Sequence, residues 1–293
     1  YVYQGEVRAI VDHTYNRPRP KDDVLPAFLA GYFGHAFYEH QLVHGGGNYH
    51  LDDPGYGYTT RLINNENPGL SEQQIWQVWK DYQDLDTQFF TPLPSSVDST
   101  QHIDMWMQVI DDDKVIISDW PAQSGSTQDN LCDQAALDMA ARGFTVYRTP
   151  ARKYSFTHYT YTNVVMCNDL VLVPQYSNAT IQQYNAQALA VFQAALPNKT
   201  IVPIDAQAIV TSAGVLHCIV MHLPAHRGGV NPTAYLVTPQ GGQIRAPGAV
   251  VDVEWISDDD GAATSADLEL STDGGQSWSA VAGGLPAAGT HAW

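Results

Sequence analysis

Cysteine is scarce in this chain: three residues, Cys132, Cys167 and Cys218, among 293. Their wide spacing excludes a disulfide framework and a cysteine-built zinc site, so no metal is expected. Positive charge is scarce as well, with 14 Lys and Arg against 31 Asp and Glu and a formal net charge of −17. That balance argues against nucleic acid and anionic membrane surfaces as partners and favours a cationic ligand. No apolar run approaches the roughly 20 residues of a membrane span. No signal-peptide pattern is present, and the chain opens on Tyr1 inside a strand-like run, as a processed or trimmed protein does. Few Lys, seven Trp and 16 Tyr suit a secreted or cell-surface protein.

What is present is a 44% hydrophobic content, ample for a core. The length suits one large domain and one small one. Composition shifts after Ala225. We therefore expect residues 1–225 to form an α/β domain and 226–293 a β domain. In the latter, 234–237, 250–256 and 268–270 read as short strands among Gly, Asp, Pro and Ser clusters, with Val251, Val253 and Trp255 alternating inward. Ser271-Thr272-Asp273-Gly274-Gly275-Gln276-Ser277-Trp278 resembles an Asp-box hairpin, read more simply as a turn with a packed Trp than as a glycan site.

The larger part carries a repeat. Strand, strand, helix and strand follow one another, with helices beginning near residues 72, 128 and 180, about fifty apart. Ser71 and Gln74 predict a capping box for the first of these. Val24 to Tyr38 reads as a further helix interrupted by Gly31 and Gly34. In Gln101-His102-Ile103-Asp104-Met105-Trp106-Met107, alternation predicts a strand with His102 and Asp104 on one face. Gly214 to Met221 reads as a buried strand carrying Cys218. A thiol there is more often inert than reactive. Yet equivalent places in successive units carry Asp52, then His102 and Asp104, then Asn163, then Cys218. Units set about a pseudo-symmetry axis would bring a nucleophile, an acid/base and a cation anchor together.

Gly46-Gly47-Asn48-Tyr49-His50-Leu51-Asp52, His102-Ile103-Asp104-Met105-Trp106, Tyr161-Thr162-Asn163 and Leu216-His217-Cys218 together resemble the guanidino-group-modifying enzymes, the superfamily of agmatine deiminase and arginine deiminase. Tyr15-Asn16-Arg17-Pro18-Arg19-Pro20 and the β-rich C-terminal region are similar to the secreted bacterial peptidylarginine deiminases of the porphyromonad type. The resemblance implies a five-bladed pseudo-symmetric α/β propeller of ββαβ units followed by a partial immunoglobulin-like sandwich. It implies deimination of arginine, with arginine-containing peptides or proteins as partners, C-terminal peptidyl-arginine preferred, and agmatine or free arginine as the alternative substrates. Cys218 would be the nucleophile, His102 the acid/base, Asp104 a guanidinium clamp and Asn163 an orienting amide. Arg17 and Arg19 would hold a main-chain carboxylate, Asp52 would be a further site carboxylate, and no cofactor is implied. A Trp-x-Arg-Asp-Tyr-Gly-Pro strand with a second clamping Asp would precede Tyr1, so the chain as it stands is expected to be weakened or inactive.

Two other classes compete. His102-x-Asp104 with His222 could form the iron triad of a non-haem oxygenase. The Asp-box region could instead be a glycan-binding surface module.

Overall fold

In the computed structural model, residues 1–4, 7–52, 54–223, 233–239, 244–258 and 265–293 are described. The boundary expected at 225–226 lies outside them. Four units of one topology occupy the larger part. The first is β1 (Val2–Gln4), β2 (Val7–Tyr15), a short α1 (Pro20–Asp23), α2 (Leu25–Phe33) and β3 (Ala36–His44). The second is β4 (His50–Leu51), β5 (Tyr56–Thr60), α3 (Leu62–Glu66), α4 (Glu72–Gln83) and β6 (Asp86–Phe90). The third is β7 (Met107–Asp111), β8 (Lys114–Asp119), α5 (Thr127–Ala141) and β9 (Thr145–Pro150). After a hairpin of β10 (Arg152–Tyr154) and β11 (Thr157–Tyr159), the fourth is β12 (Val165–Cys167), β13 (Leu170–Gln175), α6 (Asn185–Ala195) and β14 (Thr200–Asp205). In each, the first two strands pair antiparallel and a helical crossover returns the third strand parallel to the second.

Three helices, α4, α5 and α6, join neighbouring units because each buries its apolar stripe against two sheets. Ile75, Val78 and Trp79 of α4 pack with Leu42 of β3 and Phe89 of β6. Cys132, Ala135 and Met139 of α5 pack with Tyr58 of β5, Phe90 of β6 and Val115 and Ile117 of β8. Phe192 and Ala195 of α6 pack with Ile116 of β8 and with Val171 and Val173 of β13. One stripe shared between two sheets makes each unit unable to bury its face alone, the physical basis of the fifty-residue repeat. The Ser71–Gln74 capping box forms as expected, with each side chain bonding the other's backbone N–H. No helix among the described residues is long and apolar enough to cross a membrane.

The remaining strands are β15 (Thr233–Thr238), β16 (Asp252–Asp258), β17 (Ser265–Leu270), β18 (Ser279–Pro286) and β19 (Gly289–Ala292). They form one sheet in the order β15-β16-β19 and a second from β17 and β18, all antiparallel. Val253 and Trp255 are buried as expected, while Val251, ahead of β16, is half-buried. In the Asp-box turn Asp273 accepts from Ser271, Gln276 and Ser277, while Trp278 is 59% exposed rather than packed.

Three expectations give way. The helix at 24–38 stops at Gly34, whose φ of +67° is left-handed and suits glycine, and Ala36 to Tyr38 open β3 instead. The inward side of β3 is Tyr38, His40, Leu42 and His44, and the two polar rings hide its alternation from a hydrophobicity reading. His102 and Asp104 lie in a 3-10 turn, Ile103–Met105, ahead of β7, and Cys218 lies in another, His217–Ile219, rather than on a buried strand.

Candidate active site

The segments that enter the first strands of the units carry the polar residues that meet. Asn48 ends the 3-10 turn Gly46–Asn48 just before β4, Asp104 sits before β7, and Asn163 sits before β12. Asn48 fastens two units: its Oδ1 accepts from Thr60 Oγ1 at 2.9 Å and from the Ile103 N–H at 3.1 Å. That second bond holds the turn bearing His102 and Asp104 out of the strand that its alternation suggests.

Asn163, fully buried, is the hub. Its Oδ1 accepts from the Val215 and His217 N–H groups at 3.2 and 3.0 Å, which shapes the turn around Cys218. Its Nδ2 lies 2.9 Å from Asp104 Oδ2 and 3.1 Å from Cys218 Sγ. Sγ is 3.6 Å from the same carboxylate oxygen. Asp104 is fully buried and its Oδ1 has no partner among the described residues. Tight backbone completes the arrangement. A Cβ on Gly47 would lie 2.7 Å from Asp104 Oδ2 and 2.8 Å from His102 Nδ1, and one on Gly45 would lie 2.8 Å from His102 Cε1. The glycine run therefore wraps the imidazole and the carboxylate with bare backbone. Gly214, at a φ of +159°, does the same for Cys218, since a Cβ there would lie 2.8 Å from Sγ.

Cys218, His102, Asp104 and Asn163 thus gather in one place. Asp52 does not join them. It is buried at the β4–β5 turn, where its two oxygens accept from the Tyr56 N–H and the Tyr58 hydroxyl at 2.8 and 2.7 Å, a structural use that consumes both. Arg17 and Arg19 stand exposed beyond β2, just ahead of the short helix that Pro20 begins. Arg19 leans on Asp22 at 3.8 Å, while the charge of Arg17 reaches His102 and Glu66. His222 forms no ligand-distance group with His102 and Asp104; the one carboxylate cluster of that kind among the described residues is Asp119, Asp129 and Asp133, whose first and last members face Arg148.

Two residues go beyond the expected set. His217 Nδ1 lies 2.8 Å from Asp104 Oδ2, and its ring stacks on His50 at 5.6 Å. Their signal in the sequence was present, since each stands inside a quoted motif, but neither had a role. Electrostatics separates the imidazoles. Burial lowers His102 despite the charges of Asp104 and Asp98, and His102 Nε2 has no partner among the described residues. Burial, then the neighbouring His217, pushes His50 down to about 3. Burial pulls on His217 too, but the hydrogen bond with Asp104 and its charge more than offset this and raise it. Although Cys218 as a residue is accessible, desolvation of the thiol and then the charge of Asp104 hold it protonated well above its ordinary range.

A buried carboxylate with a free oxygen, beside a thiol, an amide and an imidazole, suits a planar cation that must be attacked at carbon. Comparison with known sequences agrees: residues 6–224 match the profile of the Porphyromonas-type peptidyl-arginine deiminase family. The chain belongs to this family. The deiminase family also supplies the curated relatives. A Vibrio parahaemolyticus protein provisionally named agmatine deiminase is 26% identical over 239 residues, 70% of this chain and 64% of that one, so the chain spans less than two thirds of this relative. Among solved structures, the agmatine deiminase of Enterococcus faecalis is similar with a TM-score of 0.63 at 22% identity, covering 71% of this chain and 68% of that one. A C. jejuni agmatine deiminase, C315S, with substrate bound gives a TM-score of 0.61 at 21% identity, over 71% and 66%. The chain has the mixed α/β fold of these structures.

Proposed function

We propose that the protein hydrolyses a guanidino group to a ureido group and ammonia through a covalent intermediate on Cys218, with a small cationic guanidine such as agmatine as its substrate. The observation that carries this is the shared reach of Asn163 Nδ2 to Asp104 Oδ2 and Cys218 Sγ, which sets a thiol beside a buried carboxylate with an open oxygen. Asp104 would hold the guanidinium and Asn163 would fix Asp104 and Sγ. The substrate's positive charge would offset the carboxylate that keeps the thiol protonated, so Cys218 becomes nucleophilic when substrate is seated. His102 takes the Cys218 proton as Sγ bonds to the guanidinium carbon, and returns it to the departing ammonia as the C–N bond breaks. Water deprotonated by His102 attacks the S-alkylthiouronium carbon, the C–S bond breaks, and the ureido product and thiol are regenerated.

The relatives' names favour agmatine over the C-terminal peptidyl-arginine that the sequence resemblance implies. One feature supports the peptide or free arginine as a second reading: the charge of the exposed Arg17 reaches His102, so a substrate carboxylate on that side of the site would meet a cation. The same proposal closes the four units and the Cys218 segment into a five-bladed propeller and takes 226–293 as a separate immunoglobulin-like domain. The test is ammonia and ureido product from agmatine, free arginine and an arginine-ended peptide. Agmatine should turn over fastest, and Cys218→Ala should release nothing. A faster peptide selects the second reading; ammonia released undiminished by Cys218→Ala overturns the proposal.

A further inference from the structure

We propose that His217 is a resident counter-cation that occupies the guanidinium seat at Asp104 in the empty site, so that substrate must displace it to bind. This rests on the deiminase reading above. The contact that motivates it is direct: His217 Nδ1 lies 2.8 Å from Oδ2 of a carboxylate that is otherwise sealed from solvent. Asn163 Nδ2 takes the same oxygen at 2.9 Å, and Oδ1 is left without a partner. An imidazole presents one N–H in that direction and so satisfies one oxygen. A guanidinium presents a planar fork that satisfies both. The exchange therefore gains a bond to Oδ1 that His217 cannot make.

The geometry also allows the ring to leave. The His217 backbone N–H is pinned to Asn163 Oδ1 at 3.0 Å, so the turn bearing Cys218 stays in place while the side chain, 24% exposed, swings. His50 stacks on the ring from the other side at an interplanar angle of 27° and is held neutral by burial, so it offers a flat face and no competing charge. Asp104 and His50 touch His217, Cys218 follows it in the chain, and the charges of His102 and His222 reach it; Asp104 is the anion among them. The pairing with Asp104 outweighs burial and favours the imidazolium. Acid thus strengthens the resident cation, and substrate affinity should fall as pH falls through the titration of His217.

The experiment uses Cys218→Ala protein, in which no turnover occurs, and measures agmatine binding by calorimetry between about pH 6 and pH 8, the range in which a histidine changes charge. With His217 intact, affinity should weaken toward acid by up to roughly tenfold per pH unit, the limit for one coupled proton. With His217→Ala added, binding at the acid end should tighten and the pH dependence should flatten. His217→Gln, which keeps a neutral donor, should flatten it as well and guards against a folding defect in the alanine variant. Weaker binding at every pH in both variants, or an unchanged slope, overturns the proposal by making His217 a substrate ligand or a bystander. Binding by none of the proteins at any pH overturns the deiminase reading itself. Nitrogen-15 spectra of the imidazoles in the empty protein decide the pairing without substrate: Asp104→Asn should lower the His217 titration, and no change would overturn it.

Discussion

Asn163 contributes both oxygen and nitrogen to the site, and its loss should show in stability and chemistry together. Asn163→Ala leaves the Val215 and His217 N–H groups without their buried acceptor, at a cost of about 1–3 kcal/mol. It also frees Asp104 and Cys218 from their common donor. Denaturant unfolding should register the first effect, and ammonia release should fall at least a hundredfold from the second. Gly47→Ala strikes the same site without removing a hydrogen bond. Its added methyl meets the buried Asp104 carboxylate and the His102 ring, so turnover should collapse, with a stability loss of about 1–3 kcal/mol from overpacking. Normal turnover in Gly47→Ala would mean that this contact is not part of the working geometry. At this scale the sequence was informative about chemistry and poor about conformation. The order of Asp104, Asn163 and Cys218 along the chain pointed to one site. The turns that present them were hidden, because Asn48 and Asn163 bend the backbone through side-chain bonds to residues some fifty positions away, which no local pattern records.

The first sheet carries an element-level consequence. His13 on β2 stacks on His44 of β3 at 3.5 Å, with His40 beside both, edge-on to Tyr82, while Trp79 stands edge-on to His44. Burial first, and mutual repulsion second, lowers His13 to about 4; burial lowers His40 to about 4 and takes His44 well below its ordinary value. Unfolded, these rings take up protons near pH 6.5. As pH falls from there toward about 4 the unfolded chain binds more protons than the folded one, so their contribution to stability is lost through that window. Asp12, raised to about 6 by burial, acts the other way and offsets about one of the three. Denaturation midpoints should therefore drop across pH 6.5 to 4 in the parent. His40→Gln should reduce the slope, and an equal slope in that variant would show that the stack does not titrate. The repeated unit itself was legible, from the fifty-residue spacing of the helices and the capping box. The strand β3 was not, since its buried positions are filled by histidine and tyrosine as well as leucine.

For the molecule as a whole, the −17 charge that excluded anionic partners has a kinetic consequence. A small dication approaches a strongly acidic protein under attraction that added salt screens over about 10 Å at 0.1 M. Turnover of agmatine at limiting concentration should fall severalfold between low and high ionic strength, and that of free arginine, with half its net charge, should fall less. Equal salt dependence would place the attraction in the site alone. The central claim is narrower than any of these: a thiouronium forms on Cys218. Acid-quenching the protein during turnover of agmatine and mapping its peptides by mass spectrometry tests it directly. The expected result is a peptide containing Cys218 that is heavier by agmatine less ammonia, absent in Cys218→Ala; an adduct on Cys167, or turnover with no adduct on Cys218 under any quench, would contradict it.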